Sequence, residues 1–290
     1  MDQAERLRKL VEKRPETVQS PVRDNARVIA VTSGKGGVGK TNLTVNLAIA
    51  LGMKGRRVLV IDADLGMANV EVVLGSSTKK HLLNLLEDGT KLADVLVHGP
   101  YGVDYISGGS GIEKAQAFDG AQKGQLLVKL MEAGELADII LVDTGAGLGK
   151  NVMDFILAAD QVLLITTPEP TALTDAYAVM KAYSMYAPEP DLSLIVNRVY
   201  DERESRDVVA KLTQTASRFL KLDVGCLGYV YEDTAVMRSV RRQMPFLILQ
   251  PEAIASRCVR AMADSLLYGT TMAVRRGWRG FLQQIFHFSR

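Results

Sequence analysis

Residues 28–41 read Val28-Ile-Ala-Val-Thr-Ser-Gly-Lys-Gly-Gly-Val-Gly-Lys-Thr41, and this stretch decides the fold. Val28 to Ser33 is mostly apolar and rich in β-branched residues, with the length of a buried strand. It runs directly into Gly34 to Thr41, which fits the phosphate-loop pattern G-x-x-x-x-G-K-[ST]. Leu43, Leu47, Ala50 and Leu51 then follow helical spacing. Strand, glycine loop and helix in that order form the context in which the motif has physical meaning. The glycines let backbone N–H groups turn inward around an anion, and the helix start adds its partial positive charge. Lys40 then supplies a point charge to the outer phosphates, and the Thr41 hydroxyl can ligate Mg²⁺.

Lys35 lies five residues before Lys40 inside the same loop. The resulting Lys35-Gly-Gly-Val-Gly-Lys-Thr41 resembles the deviant Walker A motif of the MinD/ParA/nitrogenase-iron-protein class of ATPases. That resemblance implies a single doubly wound, mostly parallel P-loop sheet with helices on both faces. It also implies Mg²⁺-dependent ATP hydrolysis, with ATP/ADP bound by Gly34, Lys35, Gly36, Gly37, Val38, Gly39, Lys40, Thr41 and Asn42. In the class the extra lysine, here Lys35, crosses the interface of an ATP-bound homodimer to the partner's nucleotide.

Asp62 and Asp64 close the next strand, Arg57–Ala63, and alternation lets both carboxylates point at one site. In the class this D-x-D is switch I, where Asp64 would polarise the attacking water and Asp62 would support Mg²⁺. The apolar run Asp138–Val142 ends in Asp143-Thr-Gly-Ala-Gly147, a Walker B pattern whose aspartate holds Mg²⁺ through water. By resemblance to switch II, Gly147 would sense the γ-phosphate through its backbone. The strand Leu192–Asn197 ends in Asn197-Arg198, which resembles the class's adenine-reading asparagine at the carboxyl end of a parallel strand.

The 290 residues suffice for one large α/β domain or two modest ones, with 47% hydrophobic and 23% charged residues, ordinary for a substantial core. The formal charge of +2 gives no general polyanion-binding signal, and no specific nucleic acid is expected. Its distribution is uneven. Residues 271–290 carry Arg275, Arg276, Arg279 and Arg290 without an acid, residues 1–27 are also net basic, and the body between them is acidic. Cys226 and Cys258 are far apart and read as reduced structural thiols of a cytoplasmic protein. His81, His98 and His287 form no ligand set. The N-terminus is charged from Asp2 onward, unlike a signal peptide, and no apolar run has the length of a membrane span.

Further elements are expected as a helix near Lys79–Glu87, a strand and glycine loop over Val103–Gly111, and a helix at Gln122–Ala133. A strand at Val162–Thr167 and a helix at Ala172–Tyr186 follow, then a helix at Glu204–Leu220 and a strand at Gly225–Val230. Helices at Asp233–Gln243 and Glu252–Leu267 complete the body. Met180, Met185 and Met237 read as core fillers. The alternation implies one ATPase domain over 27–268, between a leader (1–26) and a tail (269–290).

In the leader, residues 2–14 make a short amphipathic helix pattern, and Pro15 and Pro21 bracket a linker. The Asp2-Gln3-Ala4-x-x-Leu7-Arg8 pattern resembles the N-terminal motif of the FlhG family of flagellar-number regulators, also called FleN or YlxH. The resemblance implies a leader that stimulates the signal-recognition-type GTPase FlhF, with Gln3 assisting GTP hydrolysis, and flagellar C-ring components as partners.

In the tail, Trp278, Phe281, Leu282, Ile285 and Phe286 share one helical face beside arginines, the pattern of a helix lying on anionic lipid. The bland reading of the same face is a helix docked on the protein's own core, and the two can alternate between monomer and dimer. Peripheral placement at the inner face of the cell membrane is therefore expected for the ATP-bound state. A MinD-type division-site regulator would account for the tail but not the leader. An activator module with nucleotide in a structural role is the other class of reading.

Overall fold

Val28, Ile29, Ala30 and Val31 are all buried, so the opening stretch is an internal strand, β1 (Arg27–Ser33). The computed structural model describes residues 26–64, 69–109, 120–187, 191–269 and 277–287. The other strands are β2 (Val58–Ala63), β3 (Leu96–His98), β4 (Val103–Ile106), β5 (Ile139–Ala146), β6 (Gln161–Thr166), β7 (Leu192–Val199) and β8 (Val224–Tyr231). They form one sheet in the order β3-β4-β2-β5-β1-β6-β7-β8. Every pair is parallel except β3 with β4. The near-continuous apolar runs of β1, β2, β5 and β6 are what a parallel sheet covered on both faces requires.

One face is covered by α1 (Lys40–Met53), α2 (Asn69–Leu74), α10 (Phe246–Leu249) and α11 (Ile254–Tyr268), with α9 (Thr234–Arg241) at its edge. The other carries α3 (Leu92–Val95), α4 (Gly120–Met131), α5 (Ala133–Leu136), α6 (Lys150–Ala158), α7 (Pro170–Tyr186) and α8 (Glu202–Thr215). The last helix, α12 (Gly277–His287), joins this second layer.

Several sequence expectations need correction. The helix near Lys79–Glu87 is a 3₁₀ turn over Leu82–Leu86, closed by the Asn84 side chain accepting from the His81 N–H. The helix expected over Glu204–Leu220 ends as α-helix at Thr215 and continues as a π turn. Met180 is core, whereas Met185 and Met237 are exposed. Helical spacing alone did not distinguish the two faces of those helices.

The tail takes the docked arrangement, one of the two expected for it. Trp278, Phe281 and Leu282 belong to the core, and Ile285 and Phe286 pack against it. The face expected to meet lipid is thus turned inward, against α4, α6 and β1. Trp278 Nε1 donates to the Leu130 carbonyl at 2.5 Å, and its ring stacks on Phe281, which stacks in turn on Phe155 of α6. Gly134 makes room: a Cβ there would lie 2.8 Å from the indole. The Gly277 N–H donates to Asp160 Oδ1 at 2.9 Å, while Asp160 Oδ2 accepts from the N–H of Val28 at the root of β1. The tail arginines 275, 276 and 290, and the leader residues Asp2, Gln3, Leu7 and Arg8, lie outside the described residues.

Candidate functional site

The carboxyl ends of β1, β2 and β5 converge where sheet order places them side by side. Two glycines of the loop after β1 are demanded by their neighbours. A Cβ on Gly34 would sit 2.3 Å from the Asp175 backbone of α7. Gly39 begins α1 with φ of 94°, and a Cβ there would lie 2.4 Å from Asn197 Nδ2. Nothing lies within 4 Å of where a Cβ on Gly36 or Gly37 would sit.

Asp143 lies within β5, three residues before its end, where it is fully buried and accepts three hydrogen bonds. Lys40 Nζ approaches Oδ1 at 3.1 Å, Thr41 Oγ1 approaches Oδ2 at 2.6 Å, and Thr44 Oγ1 approaches Oδ1 at 3.0 Å. Asp62 is equally enclosed and accepts from the N–H groups of Asp64 at 3.1 Å and Val70 at 3.2 Å. Burial, with the Asp143 charge added, pushes the Asp62 carboxyl up to about 7. Asp64 is partly exposed, and Asn69 Nδ2 donates to its Oδ2 at 3.2 Å. Partial burial and Asp143 raise the Asp64 carboxyl while Lys40 opposes them.

This donor set fits a magnesium nucleotide. Two buried carboxylates that repel one another call for a cation, and Thr41 adds a hydroxyl beside them. Among the described residues no cluster of three histidines, cysteines or acids forms a metal cage by itself. Magnesium is commonly held in this way, by one or two carboxylates together with substrate phosphates.

Lys35 Nζ stands outside that centre, bonded to Glu169 Oε2 at 3.1 Å and Thr171 Oγ1 at 2.9 Å at the start of α7. Lys35 and Glu169 are 40% and 56% exposed, so the ammonium is held at the surface rather than over its own loop. The Gly147 N–H donates to the Ser33 carbonyl at 2.8 Å, joining the end of the β5 loop to β1. Asn197 Nδ2 donates to the Val38 carbonyl at 2.7 Å, which ties the end of β7 to the phosphate loop. Arg198 adopts φ of 60° and pairs loosely with Glu232 at 4.0 Å.

The structure therefore brings Lys40, Thr41, Asp62, Asp64 and Asp143 together and puts Lys35 and Asn197 at the margin. It sets the tail residues apart, in the helical layer of the opposite core cluster. Sequence reasoning missed Thr44, Asn69, Glu169 and Thr171. Thr44 was within reach, because four residues beyond Lys40 is the same face of one helix. The others depend on how the loops after β2 and β6 fold back, which no local pattern states.

The family model for ParA, described as the NUBPL iron-transfer P-loop NTPase, matches residues 24–267. Antiactivator FleN of Pseudomonas aeruginosa is 39% identical over 240 residues, covering 83% of this chain and 86% of FleN. The flagellum site-determining protein YlxH of Helicobacter pylori is 35% identical over 271 residues, with 91% of each chain covered. Among solved structures, the septum site-determining protein MinD of Pyrococcus horikoshii in complex with Mg-ADP superposes with a TM-score of 0.67. It is 28% identical, and the match covers 83% of this chain and 96% of MinD. On a family model spanning most of the chain, relatives above 30% identity and a shared site architecture, the protein is a member of the ParA/MinD family of P-loop NTPases.

Proposed function

We propose that this protein is a Mg²⁺-dependent ATPase switch that dimerises on ATP and regulates the placement and number of flagella. The observation that carries the switch is Lys35, whose ammonium sits at the protein surface on exposed partners instead of over its own phosphate loop. A second subunit presented face to face would receive that charge at its nucleotide. Asp64, steadied by Asn69, is the base-side residue for the attacking water, and Lys40, Thr41, Asp62 and Asp143 hold the phosphates and metal ion. Hydrolysis removes the γ-phosphate contacts and lets the pair separate. The flagellar assignment rests on the FleN and YlxH relatives and on the Asp2–Arg8 pattern, which supports stimulation of FlhF by the leader. Flagellar C-ring components complete the proposed partners.

Under this reading the tail alternates between two burials. Docked, α12 hides Trp278, Phe281 and Leu282 in the core. Released, it lays the same face on anionic lipid at the inner surface of the membrane. Undocking three large apolar side chains costs roughly 5–8 kcal/mol, and lipid offsets much of it because the same surface leaves water again. Two tails in one dimer add on the order of 10²- to 10⁴-fold in avidity. No described helix is long and apolar enough to cross a membrane.

The test is size-exclusion chromatography and liposome sedimentation of Asp64→Ala in ADP and in ATP. The ATP form should elute as a dimer and pellet with anionic vesicles, and a chain ending at Tyr268 should stay in the supernatant. Trp278 is the chain's one tryptophan, so its emission should shift to the red when the tail leaves the core. A monomeric ATP form with Trp278 emission unchanged would refute the switch.

A further inference from the structure

Asp143 has three donors in this structure, and under the proposed function two of them are needed elsewhere. The Lys40 ammonium serves the phosphates and the Thr41 hydroxyl serves the magnesium ion, so binding draws both away from the carboxylate. Thr44 is placed differently. It lies one helical turn beyond Lys40 on α1, is fully buried, and belongs to none of the phosphate-loop positions. Its hydroxyl stands 3.0 Å from each of two acceptors, the Lys40 carbonyl and Asp143 Oδ1, but carries a single proton. While Lys40 and Thr41 compensate the Asp143 charge, the carbonyl can take that proton. Once they turn away, the carboxylate is the stronger acceptor and an unpartnered Oδ1 would be left buried.

We propose that Thr44 is a positioning residue for the metal-holding carboxylate. Its hydroxyl, shared in this structure between the Lys40 carbonyl and Asp143 Oδ1, commits its proton to Oδ1 as the nucleotide binds. Oδ1 is thereby fixed, and Oδ2, the oxygen that Thr41 leaves, is offered to the metal ion's shell. The role is specific to the metal-bound state, because without the metal ion Thr41 stays on Oδ2 and keeps the carboxylate in place.

Thr44→Val removes the hydroxyl at nearly constant volume. A fluorescent ATP analogue is titrated into the parent and the variant, once with Mg²⁺ and once with EDTA, under conditions that need no turnover. Affinity in EDTA should stay within about twofold, while the gain in affinity on adding Mg²⁺ should shrink by about tenfold, the size expected for a hydrogen bond to a charged group. Thr44→Ser should restore the gain. Thermal melting without nucleotide checks the fold, and Thr44→Ala replaces the valine variant if that one does not fold. A Mg²⁺ gain equal to the parent's overturns the inference, and so does an equal loss with and without Mg²⁺, which would mark a purely structural hydroxyl. A parent that binds no nucleotide would overturn the ATPase reading together with this inference. A parent with a normal gain that the variant shares overturns this inference alone.

Discussion

The two ends of β1 are built on opposite principles. At the carboxyl end, charge is concentrated: Lys40, Asp62, Asp64 and Asp143 crowd one spot, and buried carboxylates sit beside open backbone. At the amino end the sheet is closed by apolar mass, with Trp278 and Phe281 of α12 seated against α4 and α6 and Asp160 linking strand and helix. The first arrangement pairs its charges with one another, Lys40 with Asp143, in groups that a magnesium nucleotide would redirect. The second is already complete. A site poised for a ligand and a core plug thus share one strand, and α6 (Lys150–Ala158) lies between the loop that holds Gly147 and the turn that holds Asp160.

This contrast predicts different consequences for damage at the two ends. The largest is at the plug. Trp278→Ala should lower stability by about 3–5 kcal/mol, read by urea unfolding, and should not weaken nucleotide binding. A change below 1 kcal/mol would mean that α12 is only lightly seated. At the charged end, Lys40→Ala should weaken ATP by at least about a hundredfold, near 2.7 kcal/mol, while Trp278 emission stays that of the docked tail. Loss of docking in that variant would erase the distinction between the two ends.

The smallest effect is at Asp138, just before β5 at the plug end of the sheet. It accepts from the Arg57 backbone N–H at 3.0 Å, Nε at 3.2 Å and Nη2 at 2.7 Å. Partial burial alone would raise its carboxyl, but these bonds and the arginine charge outweigh burial and leave it below the usual range. A depressed carboxyl stabilises the fold above its unfolded pKa of about 4, and that contribution is lost as pH falls through the folded value. Asp138→Asn should therefore cost about 1 kcal/mol at pH 7, a modest figure because both partners are partly exposed, and the gap should narrow in acid. A gap independent of pH would show that shape rather than charge holds the pair.

The same contrast explains what could be read from the chain. The phosphate loop was legible because its chemistry needs named residue types at fixed spacing: glycines where backbone must bend, Lys40 where phosphate charge lies, and Asp143 closing an apolar run, although β5 itself continues to Ala146. The doubly wound sheet was legible for a similar reason, since apolar β-branched runs alternate with helical spacing. The seat of α12 was not. Trp278, Phe281, Leu282, Ile285 and Phe286 announce a face that avoids water, and that spacing is identical for lipid and for core. What decides the matter in this structure is the groove beside Gly134, assembled from residues far away in sequence. Strand β3 escaped for want of length, being Leu96–His98 and antiparallel at the sheet edge. Asn197 was found at its strand end, but its hold on Val38 links two remote segments and leaves no local trace.

The docked α12 also carries a thermodynamic obligation. If ATP loosens the helix by some factor, then whatever captures the helix must tighten ATP by the same factor, because binding free energies around a closed cycle are reciprocal. An anionic membrane would then act as an effector of the nucleotide site without approaching it, holding the triphosphate form where lipid is present. The apolar face of Trp278 and Phe281 would in this way set the dose–response curve for ATP, and the cell surface would read as a concentration.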